Sequence, residues 1–247
     1  MNKKTAISAS LLLLFAIAGP LRAQYASSWW GLRAGVNLAN ESITIPNNFD
    51  ASIGIKPGVI GGLVFEHWFD DTWGFSASLL FDQRGTSAVY ASSAVNREIE
   101  IDTANKTYKL YSGNDNFSLS YLEIPLMLKY SFGEGDIRPY IAIGPSFGFL
   151  VSASESVTGD LTPISTLKDS VQSFHASIYG GLGLADELYH GPMITFDAGY
   201  AAGLTKIFKT TPNSRAATDG RPFPQPIDLS SAKASDIVIT VGIMWKL

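Results

Sequence analysis

Near the C-terminus, Ile237, Ile239, Val241, Ile243, Trp245 and Leu247 alternate with Val238, Thr240, Gly242, Met244 and Lys246. Successive side chains of a β-strand point to opposite faces, so one face of this segment is continuously large and apolar. The same period of two returns along the chain. Leu122, Ile124, Leu126, Leu128 and Tyr130 alternate with Tyr121, Glu123, Pro125, Met127 and Lys129, and Ile194, Phe196, Ala198 and Tyr200 alternate with Thr195, Asp197 and Gly199. Phe75, Ala77, Leu79 and Phe81 stand opposite Ser76, Ser78, Asp82 and Arg84. Helical periodicity is scarce after residue 24, and no later segment has the length and apolarity of a membrane-spanning helix.

The segments number about eight and are each roughly ten residues long, which is what a tilted strand needs to cross a bilayer. They lie near 29–39, 58–68, 73–84, 119–130, 138–151, 174–186, 193–207 and 236–247. Their connections alternate: 40–57, 85–118, 152–173 and 208–235 are long, whereas 69–72, 131–137 and 187–192 are short. Short turns on one side and long loops on the other are the layout of an outer-membrane barrel, with the short turns in the periplasm. The expected fold is therefore all-β: a single antiparallel up-and-down transmembrane β-barrel of about eight strands, with both termini periplasmic. One barrel domain, 24–247, follows a leader at 1–23. In that leader Lys3 and Lys4 precede an apolar run from Ala6 to Ala18, and Leu21-Arg22-Ala23 supplies a small-residue cleavage site, so an export signal that is removed is expected.

Without Lys3, Lys4 and Arg22, 15 basic residues face 22 acidic ones, so nucleic acid is not an expected partner. The absence of cysteine excludes disulfides and thiolate metal sites. A soluble exported barrel of lipocalin type, binding an apolar ligand, would also alternate and stays open as an alternative. The polar faces here favour lipid outside, because they are rich in Gly, Ser and Thr and poor in long solvated side chains. Trp30, Trp73, Tyr130 and Trp245 end apolar faces near the short turns, as an interfacial aromatic girdle requires.

With lipid outside, the charges point inward. The expected lumen set is Arg33, Glu66, Asp82, Arg84, Glu123, Lys129, Asp197 and Lys246, four acids against four bases. Unpaired, each would cost several kcal/mol, so a paired network that plugs the lumen is expected, not an open pore. Two places fit less well. Pro125 lacks an N–H for the ladder, which calls for a bulge or an unpaired position, and Ile60 and Val64 share the face of Glu66, which a bulge near Gly61-Gly62 would repair.

The runs "WWGLRAGVNLA", "GGLVFEHWFDDTWGFSASLLFDQRG", "YLEIPLMLKY" and "RPYIAIGPSFGFLV" resemble the PorT-like outer-membrane β-barrel family of the Bacteroidota across nearly all of the chain after the leader. The most specific piece is Tyr121 to Pro125 followed by Lys129-Tyr130. The resemblance implies an eight-stranded outer-membrane barrel. Most members have no assigned activity, and the member that gave the family its name works in type IX protein secretion. The chain departs from barrels that end in an aromatic residue, since it closes Trp245-Lys246-Leu247, with Trp245 in the aromatic's place.

No catalytic residue is assigned. His67, His175 and His190 are the only histidines. His67 and His190 fall at or near short turns, where they read as solvated. His175, with Ser173 and Ser177 on the same face and Asp169 or Glu155 nearby, is the one alternative, a lipid hydrolase or acyltransferase centre. No histidine pair has metal-ligand spacing, and Asp70-Asp71 reads as a turn, so neither metal nor cofactor is expected. Gly61-Gly62 and Gly180-Gly181 lie within strands and read as curvature or close packing, not as phosphate loops. A hairpin is expected around 103–106, and the Pro212, Pro222, Pro224 and Pro226 stretch reads as irregular. The expected partners are outer-membrane lipid around a monomeric barrel and a protein, glycan or secreted cargo at the long loops.

Overall fold

The computed structural model describes residues 26–44, 51–90, 113–133, 135, 137–159, 167–189, 191–209 and 228–247. The leader, the hairpin at 103–106, His190 and the four prolines of 212–226 lie outside the described residues. Eight antiparallel strands follow in order: β1 (Ser27–Thr44), β2 (Ala51–Trp68), β3 (Trp73–Tyr90), β4 (Gly113–Ser131), β5 (Ile137–Gly159), β6 (Phe174–Glu187), β7 (Met193–Gly203) and β8 (Asp228–Lys246). Each pairs with its sequence neighbours, and β1 pairs with β8, so the sheet closes into a barrel with no edge. A one-turn helix, α1 (Leu167–Ser170), stands between β5 and β6.

Alternation fixes which way each strand faces in the apolar belt. Leu63, Leu79, Leu128, Ile143, Leu182 and Val241 are exposed outward, while Glu66, Asp82, Glu123, Lys129 and Asp197 are buried inward. A soluble barrel with an apolar lumen has the inverse arrangement, and that alternative falls. Trp30 and Trp245 meet at 5.7 Å between ring centroids, and Trp73 and Tyr130 at 4.8 Å, on the outer face at the short-turn end. The turns there are local. Asp70 Oδ1 accepts the backbone N–H groups of Thr72 and Trp73 at 2.8 and 2.6 Å, so the Asp70-Asp71 pair builds the β2–β3 turn.

The strands run further than the sequence segments, and the difference is one-sided. At the long-loop end β1 continues to Thr44, β3 to Tyr90 and β5 to Gly159, while β8 begins at Asp228. Above the apolar belt the outward face no longer has to be large and apolar, so the hydropathy contrast fades in stretches such as Asn114 to Asn116 or Ser152 to Thr158. Only β7 is shorter than expected, ending at Gly203 and not Ile207. There the chain leaves the wall: Leu204 and Thr205 both donate N–H to Ala176 O, and Ile207 and Phe208 join the buried cluster inside the barrel.

The irregularities also fall elsewhere. The register of β2 on β3 shifts between Ile55 and Ile60, around Pro57-Gly58, while Gly61 and Gly62 pair regularly with Phe81 and Leu80. Proline has no ladder N–H, so the extra residue is accommodated beside it. Ile60 and Val64 need no repair, since both face the lumen and fill it, at 8% and 3% exposure. Pro125 makes no bulge. The β3–β4 ladder is interrupted between Ala77↔Leu126 and Leu80↔Glu123 and the β4–β5 ladder between Pro125↔Ser146 and Leu128↔Ile143, and each resumes in the same register. The shift in β4–β5 lies instead between Ser120 and Tyr121.

Candidate functional site

The lumen is filled in layers. At the short-turn end Trp29, Trp68, Met193, Met244 and Ala185 form an apolar floor together with Val64, Met127, Tyr140 and Ala142. Lys246 lies over the Trp29 ring at 5.5 Å and is exposed at this mouth; it does not enter the ion pairs, because β8 ends with it. At the opposite end Leu167 and Val171 of the α1 segment, with Ile207 and Phe208, turn inward and pack on Phe117, Leu119, Tyr121, Ala232 and Ala234. Backbone bonds knit this cap: Gln172 N–H to Ile207 O at 2.7 Å, Lys209 N–H to Ser170 O at 2.8 Å, and Ile207 N–H to Ala232 O at 2.9 Å.

Between floor and cap stand two charged clusters. The lower one is balanced. Arg33 Nη2 reaches Asp197 Oδ2 at 3.1 Å and Glu66 Oε1 at 3.4 Å, and Lys129 Nζ pairs with the same Glu66 oxygen. Tyr140 completes it, donating its hydroxyl to Asp197 Oδ1 at 2.6 Å while its ring faces Lys129 Nζ at 4.1 Å. The ring fits because the facing residue is Gly183, where a Cβ would collide with the phenol.

In the upper cluster one guanidinium serves three carboxylates. Arg84 binds Asp82 Oδ2 through Nε at 2.6 Å, Glu123 Oε1 through Nη2 at 2.7 Å and Asp236 Oδ2 through Nη1 at 3.0 Å. Asn37 Nδ2 donates to Asp82 Oδ1 at 2.8 Å and Ser146 Oγ to Glu123 Oε2 at 2.5 Å. A planar fork with five donors can present a separate nitrogen to each of three acids. A cavity of about 60 Å³ separates the clusters, lined by Arg33, Lys129 and Asp197 below and by Arg84, Asp82 and Glu123 above. Ser177 Oγ and Arg33 Nε on its wall have no hydrogen-bond partner among the described residues, and the space suffices for several waters at roughly 10–15 Å³ each.

Seven of the eight sequence-derived lumen charges thus meet in these clusters. Asp236 was missed, as were Asn37, Ser146 and Tyr140. Parity could have found two of them: Asp236 shares a face with Thr240 and Met244, and Asn37 shares one with Arg33. The described clusters hold five acids and three bases, not four of each.

The histidines take other roles than those weighed from sequence. His175 Nε2 lies 2.9 Å from Arg84 Nη1, so the guanidinium donates and the ring nitrogen accepts, while Nδ1 faces Thr205 Oγ1 at 3.3 Å. Neither serine is its partner. Ser173 Oγ accepts from Lys209 Nζ at 3.3 Å, and Ser177 Oγ has no hydrogen-bond partner. Among the described residues no serine hydroxyl is hydrogen-bonded to the His175 ring. His67, expected to be solvated, meets Ser28 Oγ through Nδ1 at 2.9 Å across the β1–β2 ladder. No group of three or more metal-ligating side chains is assembled among the described residues.

Residues 22–209 match the model of a family described as outer membrane protein beta-barrel domain. No curated protein matches the chain. Among solved structures it is similar to the outer membrane protein OprG from Pseudomonas aeruginosa, at 12% identity over 90% of this chain and 97% of that one, with a TM-score of 0.44. It is also similar to Ail of Yersinia pestis, solved in complex with the heparin analogue sucrose octasulfate, at 12% identity over 88% of this chain and 99% of that one, with a TM-score of 0.37. E. coli Outer Membrane Protein W follows at 11% identity over 90% of this chain and 100% of that one, with a TM-score of 0.37.

Proposed function

The chain belongs to the outer membrane protein β-barrel domain family, and from that membership we propose a non-enzymatic barrel, sealed along its axis, that acts through its long extracellular loops on a protein or glycan partner. The supporting observation is the filled lumen: floor, two ion-pair clusters and cap occupy it in succession among the described residues. A conducting barrel needs a continuous water-filled channel, and the interior of an eight-stranded barrel is narrow enough for side chains to fill. The leader at 1–23 would be cleaved on export, and the short turns would face the periplasm.

The test is fractionation followed by electrical recording. The full-length chain should stay with the outer membrane through carbonate washing, change gel mobility on boiling, and give no steady conductance in planar bilayers. A sustained open level would refute the sealed lumen, and a carbonate-soluble protein would refute the barrel's insertion. A finer reading, service in type IX secretion, is favoured by the motif that carries the PorT-like resemblance, whose Glu123 holds Arg84. Deletion of the gene would then leave secreted cargo inside the cell, and normal secretion would dismiss this reading alone.

A further inference from the structure

We infer that the cap of the barrel binds the phosphate groups of lipids at the surrounding membrane surface. The inference rests on the membrane-spanning reading above. The cap is two-sided. Its inner side is the apolar set Leu167, Val171, Ile207 and Phe208, and its outer side carries Lys168, Lys206, Lys209 and Lys233, all exposed. The backbone bonds already given bring these four together: Lys209 is tied to the α1 segment, and Lys206 and Lys233 flank the Ile207–Ala232 bond. None of the four forms an ion pair among the described residues, and Asp169 is the only acid in the stretches 167–173, 204–209 and 232–234. Residues 204–233 contain five basic residues against two acidic ones, in a chain whose formal charge is −4. The basic charge is therefore local, not a property of the whole surface.

Depth selects the lipid phosphate as the ligand. The barrel wall is lowest at β6 and β7, which stop at Phe174 and Gly203, while β5 and β8 continue past them. Phe174 is exposed at 43% and meets Phe147 and Phe149 at 6.3 and 5.6 Å, which marks the upper rim of the apolar belt. Lys209 Nζ bonds Ser173 Oγ, one residue beyond Phe174, and Lys206 follows Leu204, itself 56% exposed, by two residues. Ammonium groups immediately above an apolar rim stand at the level of lipid phosphates. Each lysine near an anionic surface raises affinity roughly fivefold, an effect that salt screens.

The experiment uses the full-length folded protein in phosphatidylcholine bilayers with trace spin-labelled phosphatidic acid or spin-labelled phosphatidylcholine, reading the fraction of each held immobile at the barrel. A preference of roughly fivefold or more for phosphatidic acid at low salt is expected. It should vanish in about 1 M salt and in the Lys206→Gln/Lys209→Gln/Lys233→Gln variant, while Lys246→Gln at the opposite mouth keeps it. Because these lysines are exposed, the triple variant should still show heat-modifiable mobility, and charge-retaining Lys206→Arg/Lys209→Arg/Lys233→Arg controls for packing. Equal retention of both lipids by an inserted, heat-modifiable barrel overturns the inference alone, as does a preference that survives the triple variant. Full displacement by a soluble sulfated polysaccharide, with inorganic phosphate inert, also overturns it by assigning the surface to a soluble polyanion. A chain that fails to insert refutes the spanning reading instead.

Discussion

Arg84→Met is the most informative single change, because it removes the one cation that Asp82, Glu123 and Asp236 share at 2.6, 2.7 and 3.0 Å. At an effective dielectric constant of about 20, each contact is worth about 6 kcal/mol of Coulomb energy. Desolvating the guanidinium and three carboxylates offsets most of that, and removal of one partner from a buried pair costs about 3–5 kcal/mol net. Here three acids lose the same partner and are left to repel one another, so a loss of about 5 kcal/mol is expected, or between three and four decades in the folded-to-unfolded ratio. The assay is urea unfolding in lipid vesicles, followed through the tryptophans and checked by unboiled gel mobility. Adding Asp82→Asn, Glu123→Gln and Asp236→Asn to Arg84→Met should restore most of the loss, since an uncharged cluster of similar volume no longer needs the guanidinium. A single variant within about 1 kcal/mol of wild type, or a quadruple variant no better than the single, would refute the account of the lumen as an electrostatic plug.

Gly183→Ala places a methyl group against the Tyr140 ring and should cost about 1–3 kcal/mol by overpacking, with a change in tyrosine ultraviolet absorbance as the Tyr140–Asp197 bond is displaced. Leu79→Arg, on the outward face at mid-strand, should lose about 2–4 kcal/mol in vesicle unfolding, because that face meets lipid. Asp70→Ala removes the acceptor for two turn N–H groups and should slow folding of the β2–β3 hairpin and cost about 0.5–1.5 kcal/mol per lost bond, measurable in the same titration. Unchanged stability for any of these would contradict the contact on which it rests.

The barrel was legible because its solvent and its interior both leave marks with a period of two. Leu122 to Tyr130 on one face and Glu123 and Lys129 on the other already say which side meets lipid. What the sequence did not reveal lies where that contrast ends. The strand extensions at Asn114–Asn116 and Ser152–Thr158 carry no large apolar outward face, so they read as loop. The cap is hidden for the opposite reason: Ile207 and Phe208 continue the apolar character of β7 and read as more strand, although the paired bonds of Leu204 and Thr205 to Ala176 end the strand before them and both side chains join the inner cluster. Register was likewise out of reach, since Pro57 and Pro125 have the same missing N–H and yet one accompanies a shift and the other does not.

The lumen is closed more than once, and this decides what mutation can do to it. Emptying the cap at Phe208 exposes Tyr121 and His175, which are held to Arg84 by a cation–π contact at 5.6 Å and a hydrogen bond at 2.9 Å. Below them the Arg33–Glu66–Lys129–Asp197 cluster is intact, and below that Trp29 and Trp68 still cover the floor. Each layer is held by different residues and different physics, so weakening one leaves the others closed. Phe208→Ala should therefore lower stability by about 3–5 kcal/mol, the usual cost of a phenylalanine cavity, without opening a conductance in planar bilayers. Conductance from that single change would mean that the layers act as one unit and that the cap alone holds them shut.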